Sequence, residues 1–170
     1  MKISRILLSV VFLGLFATSA HAGVFIGGGI NNNSFGYDNV DNSTGNQLYA
    51  GYYFDSGVFL EVSRVDLGEG DVENTSYALD MSGMAYYVGY KSELPSGFGW
   101  YAKGGLYSID TKVDGLGEES SSGLTLGGGI LYAFNKHFAL RAGLHMFVGV
   151  EDFDQDESVV GGSLSVEARF

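Results

Sequence analysis

The sequence has no cysteine and a single proline, Pro95. Lack of cysteine rules out disulfides, a thiol nucleophile and cysteine-based metal centres together. Bases are scarce: nine Lys and Arg stand against 20 Asp and Glu. So acidic a chain repels nucleic acid, and no basic cluster offsets the repulsion, so DNA and RNA are excluded as partners. Long apolar runs are missing too. The main one, Ile6 to Phe16, is shorter than the roughly 20 residues of a membrane-spanning helix.

That run has a different reading. Lys2 and Arg5 come before or at its edge, and the small-x-small triplet Ala20-His21-Ala22 follows it. This order predicts a cleaved secretory signal peptide over residues 1–22, with Gly23 as the first mature residue. Residues 23–170 then make one domain. Nine bases less Lys2 and Arg5 leave seven against 20 acids, a formal net charge of −13. An exported chain without cysteine relies on a closed hydrogen-bonded sheet rather than on covalent staples.

What is abundant points to β-structure: 27 Gly, 11 Tyr and 12 Phe. Apolar residues recur at every second position. This period predicts eight strands near 23–31, 46–54, 58–66, 77–91, 98–109, 123–134, 137–149 and 159–170. In the sixth, Leu124, Leu126, Gly128, Ile130, Tyr132 and Phe134 share a face. In the seventh it is Phe138, Leu140, Ala142, Leu144, Met146 and Val148; in the eighth, Val160, Gly162, Leu164, Val166, Ala168 and Phe170. Three connections are tight: Asp55-Ser56-Gly57, Glu93 to Gly97, and Asn135-Lys136. Four long loops are expected at 32–45, 67–76, 110–122 and 150–158, with 15 of the 20 acids in or beside them. Short turns on one side and long loops on the other are the layout of an outer-membrane barrel, with both termini at the periplasmic side.

Alternation alone does not say which face points outward, because a soluble eight-stranded barrel of the lipocalin kind keeps its apolar face inside. Three features favour the membrane. The mid-strand charges Glu61, Lys103, Arg141 and Glu167 lie opposite the apolar stripe. Aromatic residues gather near strand ends, as in an interfacial girdle: Tyr52, Phe54, Tyr90, Phe98, Trp100, Tyr132, Phe134 and Phe138. The last strand closes on Phe170. The fold predicted is all-β: an eight-stranded antiparallel transmembrane up-and-down β-barrel.

Residues 49–68, YAGYYFDSGVFLEVSRVDLG, resemble the second hairpin of the OmpA/OmpX-like outer-membrane barrels. So do residues 89–107, GYKSELPSGFGWYAKGGLY, and the closing strand SLSVEARF is similar to the C-terminal strand of that family. The resemblance implies a monomeric barrel in the outer membrane. It also implies recognition of the last strand by the barrel-assembly machinery, with Phe170 as the signal. In OmpA-type barrels interior acids and bases block the lumen; Glu61, Lys103 and Arg141 match the third-strand acid and the fifth- and seventh-strand bases. Leu131 departs from the pattern, where the family has an acid, and Glu167 is the substitute partner. The chain stops at Phe170, where OmpA continues into a peptidoglycan-binding domain, so wall anchoring by that route is not expected.

For the interior charges, a filling network is favoured over a gate, because eight strands leave a lumen that side chains fill. At ~4 Å and an effective dielectric of ~20, one pair gains roughly 4 kcal/mol before desolvation. Arg64 has lipid-side parity with Leu60 and Val62. It is placed at the outer rim, because a base costs about 2–4 kcal/mol at the midplane and only about 0–1 near the interface. There it either contacts lipopolysaccharide phosphates or simply faces solvent. The acidic run Glu151, Asp152, Asp154, Asp156 and Glu157 lacks the EF-hand order, so a solvated surface is expected and no metal or cofactor. Some small barrels modify lipid A with a His-x-Ser pair; here Met146 and Phe147 follow His145, and His137 lies at a turn. The glycines at 27–29 and 127–129 lie within strands and form no phosphate loop. The expected function is non-enzymatic: a structural, envelope-integrity role among outer-membrane lipids and lipopolysaccharide, with acidic loops. An adhesin or host-factor binder of the OmpX/Ail type, meeting an extracellular partner through those loops, is the alternative. A narrow ion conduit and a lipid A-modifying enzyme follow it.

Overall fold

A computed structural model describes residues 23–34, 42–71, 78–113, 117–148 and 158–170. The strands are β1 (Gly23–Ser34), β2 (Ser43–Tyr53), β3 (Val58–Asp71), β4 (Ala78–Glu93), β5 (Phe98–Val113), β6 (Gly117–Ala133), β7 (Phe138–Val148) and β8 (Val159–Arg169). Each pairs antiparallel with the next, and β1 pairs with β8 to close the barrel. Closure satisfies the backbone of every strand and leaves no edge within the membrane.

The tight turns follow from their residues. Gly57 donates to the Phe54 carbonyl at 3.0 Å and has φ 86°; Gly97 donates to Leu94 at 2.9 Å with the same φ. Each is a type I turn closed by a left-handed glycine, and Pro95 presets the second. At the third turn the Asn135 side chain accepts hydrogen bonds from the His137 and Phe138 amides at 2.8 and 3.0 Å.

The strand faces are inverted relative to a soluble barrel, so the lipocalin-like alternative does not hold. Leu106, Leu124, Ile130 and Leu144 point out and are exposed, whereas Glu61, Arg141, His145 and Glu167 are buried inside. On β6 the outward apolar run from Leu124 to Phe134 covers ten residue steps; at ~3.3 Å per residue and a tilt of about 40° it spans about 25 Å, the height of an outer-membrane apolar band. The eight aromatics expected at strand ends all lie at the turn end, several in ring contact: Tyr90–Trp100 at 5.7 Å and Phe98–Tyr132 at 4.7 Å. Among the described residues the opposite boundary has no such belt. There Asn32, Thr44, Asn46, Ser108 and Ser122 face outward.

The structure corrects the loop assignments. Segments 32–34 and 43–45 belong to β1 and β2, 67–71 to β3, and most of 110–122 to β5 and β6. Glu69, Asp71, Asp110, Glu118 and Glu119 therefore lie on strands. These polar stretches show no alternation, yet pairing with a neighbouring strand overrides weak β propensity. β5 and β6 stay paired to Val113↔Gly117 and β3 with β4 to Asp71↔Ala78, whereas β7 and β8 pair only to Phe147↔Val159. One wall of the barrel, β3 to β6, thus rises beyond the rim. A bulge between Asp66 and Gly68 (φ 85°) inserts Leu67 into β3 and turns it inward. The acidic run 151–157, and Asp38, Asp41, Glu73 and Asp114, lie outside the described residues.

Candidate functional site

Inward parity brings Glu61 on β3, Lys103 on β5, Arg141 on β7 and Glu167 on β8 to one level of the lumen. Lys103 Nζ donates to Glu61 Oε1 at 2.5 Å. Arg141 donates to Glu61 Oε2 at 2.9 Å and to Glu167 Oε2 at 3.2 Å. β3 and β7 stand on opposite walls, so the Glu61–Arg141 pair crosses the bore. The structure brings the four residues named from the sequence together, with Glu167 on β8 and Glu61 on β3 both held by Arg141. Leu131 on β6 is buried.

The network continues towards the turn end through residues that the sequence reading missed. Arg169 donates from Nε to Glu167 Oε1 at 2.7 Å, and its NH1 lies 2.8 Å from Glu93 Oε1. Lys91 Nζ donates to Glu93 at 2.9 Å. The result is a chain of alternating sign: Lys103, Glu61, Arg141, Glu167, Arg169, Glu93, Lys91. Parity was the available signal, since Lys91 and Glu93 share the inward face of β4 with Tyr87; assigning Glu93 to the turn concealed it.

Aromatic rings pack against each of these cations. The Arg141 guanidinium lies 4.2 Å from the Tyr101 ring and 4.8 Å from Tyr49; Lys103 Nζ is 3.9 Å from Tyr87, and Lys91 Nζ 3.2 Å from Tyr53. Ring quadrupoles add to the ion pairs and fill volume that water would otherwise occupy. Tyr53 also donates to both Glu167 oxygens, at 3.0 and 2.9 Å. Phe25, Tyr53 and Phe59 close the turn end of the bore. Above the charges, Val65, Leu67, Tyr107, Ile109, Phe147 and Val159 form a second apolar layer. Between the charges and this layer is a cavity of about 10 Å³, room for roughly one water.

The upper polar groups serve the bulge. Asn33 Nδ2 donates to the Leu67 carbonyl at 2.9 Å, and Ser43 donates to the same oxygen. His145 Nε2 is 3.0 Å from Asn33 Oδ1. His137 lies at the turn, 3.2 Å from the Arg169 carbonyl. Among the described residues neither imidazole is hydrogen-bonded to a hydroxyl nucleophile. Arg64 is exposed on the outward face and in register with Leu48 and Met84, the last apolar outward residues of their strands. Asn46, Asp66 and Ser82 begin the polar rim one step further along, so Arg64 sits on the boundary. Phe170 donates its amide to the Val24 carbonyl at 2.9 Å and is 78% exposed, its ring outward.

A closed eight-stranded barrel, apolar outside and charged inside, with an aromatic belt at one end, defines an integral outer-membrane barrel protein. The chain matches the model of the outer membrane protein beta-barrel domain over residues 4–166 and belongs to that family. Among solved structures it is similar to Neisserial surface protein A, at 17% identity and TM-score 0.64, over 89% of this chain and 98% of that one. It is similar to Ail, the attachment invasion locus protein of Yersinia pestis, at 18% identity and TM-score 0.60, over 88% and 97%. It is also similar to OprG from Pseudomonas aeruginosa, at 14% identity and TM-score 0.65, over 89% and 97%. At these identities the likeness is one of fold. None of the curated proteins matches the chain.

Proposed function

We propose that this protein is a non-enzymatic, monomeric structural barrel of the outer membrane, exported by its signal peptide, sealed to solutes and contributing envelope integrity. The observation that supports the reading is the packing of the lumen among the described residues: charges paired across the bore between two apolar layers, with a cavity beside them that has room for roughly one water. Planar-bilayer recording is the direct test. The sealed barrel gives no single-channel steps, and steady conductance would replace this reading with a conduit. Lipid A mass spectra unchanged by overexpression are expected, and a modified species would replace it with an enzyme. Arg64 at the rim is placed to meet lipopolysaccharide phosphates; an Arg64→Ala barrel with unchanged lipopolysaccharide contact would remove that role.

A second reading, an adhesin or host-factor binder, is favoured by the raised β3–β6 wall. Ail is named for attachment and has been crystallised with a heparin analogue. The present chain carries 20 acids and nine bases, so its outer surface repels a polyanion of that kind and suits a basic partner. Shortening the β5–β6 hairpin to the rim and measuring whole-cell binding tests this. Binding retained at full strength by the shortened barrel would count against the wall.

A further inference from the structure

Two adjacent glycines of β8 differ. A Cβ at inward Gly161 would strike the His145 and Asn33 side chains, so no side chain fits there. A Cβ at outward Gly162 would meet only Leu144 Cδ2, at 3.9 Å. Space for a side chain exists at 162, and leaving it empty opens a groove of about 680 Å³ on the outer wall. Gly128, Ala142 and Gly162 form its floor, and Leu144 and Leu164 stand beside it, both exposed.

The groove runs across the strands between two neighbouring register rows, Gly128↔Leu144↔Gly162↔Asn32↔Thr44 and Ile130↔Ala142↔Leu164↔Ile30, passing Leu144 on one side and Leu164 on the other. Four interstrand steps of ~4.8 Å make it about 19 Å long. Gly128 lies mid-way along the apolar run of β6, whereas Asn32 and Thr44 lie in the polar rim. The strands are tilted, so the row descends from the outer interface to the middle of the apolar band. At a strand tilt of about 40° a row of this length descends about 12 Å, about half of the ~25 Å apolar band, so the oblique groove spans one leaflet. Its upper end is polar: Asn32 Nδ2 and Thr44 Oγ1 are exposed and 3.4 Å apart.

We infer that this groove holds one acyl chain of an outer-leaflet lipid, whose headgroup accepts hydrogen bonds from Thr44 and Asn32. The inference rests on the outer-membrane orientation proposed above. Hydrocarbon is the phase that surrounds the groove, the lining is apolar over the leaflet depth, and polar groups occur only where a headgroup begins. A side chain at 162 would occupy the middle of the path.

The test uses the barrel folded in dimyristoylphosphatidylcholine, moved into mild detergent and weighed by native mass spectrometry. The unsubstituted barrel is expected to keep one phosphatidylcholine. Gly162→Leu lowers the retained fraction at least tenfold. Gly28→Leu, at an outward glycine outside the groove where a Cβ meets Gln47 O at 3.4 Å, leaves it unchanged. Leu164→Ala removes one flank without adding bulk and lowers it severalfold; it decides the matter if Gly162→Leu does not fold. No retained lipid in the unsubstituted barrel, or retention indifferent to these substitutions, overturns the inference. So does a dimer that Gly162→Leu dissolves, since a second copy would then be the occupant. Failure of the barrel to shift on a gel between boiled and unboiled samples would instead overturn the membrane reading itself.

Discussion

Arg141 touches both interior acids, Glu61 and Glu167, and lies over two tyrosine rings. Of the two acids Lys103 pairs with Glu61, which keeps Arg141 if the lysine is lost. Removing one partner of a buried pair costs about 3–5 kcal/mol, because a charge is left uncompensated. Arg141→Met is therefore expected to lose about that much in urea unfolding from lipid vesicles, and Lys103→Met distinctly less. Equal losses would show that Arg141 does not bridge the two acids. At the turn-end mouth the Glu93–Arg169 pair is partly exposed, with side chains 28% and 11% accessible. A double-mutant cycle there should give at most about 1 kcal/mol, shrinking as salt is raised.

Elements depend on a few backbone positions. Gly97 has φ 86°, and a Cβ there would meet the Ala133 carbonyl at 2.6 Å. Gly97→Ala is expected to cost about 1–2 kcal/mol and Gly97→Asn less, as read from the urea midpoint, since the left-handed region penalises a Cβ and asparagine tolerates it. Such turns were legible in the sequence because Asp-Ser-Gly and Pro-Ser-Gly state their geometry. The strands were legible wherever leucines and glycines alternate, as in β6 to β8. Their upper ends were not. Gly117 to Gly123, GEESSSG, has no period of two, and only the β5 partner makes it a strand. The bulge was hidden for a related reason: inserting Leu67 reverses the parity of β3, and that shift exists only in the pairing with β4. The central charges were readable from parity within strands. Which acid pairs with which base depends on register across the bore, information that no single segment contains.

At the scale of the molecule, closure makes the last strand decisive. Phe170 donates its amide to Val24, and Arg169 reaches Glu93 on the opposite wall; neither contact exists until β8 has joined β1. Deleting Phe170 is expected to slow membrane insertion while export continues, measured as the heat-shifted fraction on gels after pulse labelling. Normal amounts of folded barrel in the deletion would remove the assembly role. Among the described residues the aromatic belt lies at the turn end alone, which bears on vertical position. A cysteine at Ser56 should keep its accessibility in vesicles of increasing chain length, while one at Ser108 should lose it. The tyrosines, phenylalanines and tryptophan moor the barrel at its turn end, whereas at the other boundary Ser108 and Ser122 resist little and only the charges Arg64, Asp66 and Asp110 oppose entry into hydrocarbon. As the bilayer thickens, its level rises past the hydroxyls until it meets the acids at the foot of the raised wall, and within that limit the reach of this wall becomes a readout of the thickness of its own membrane.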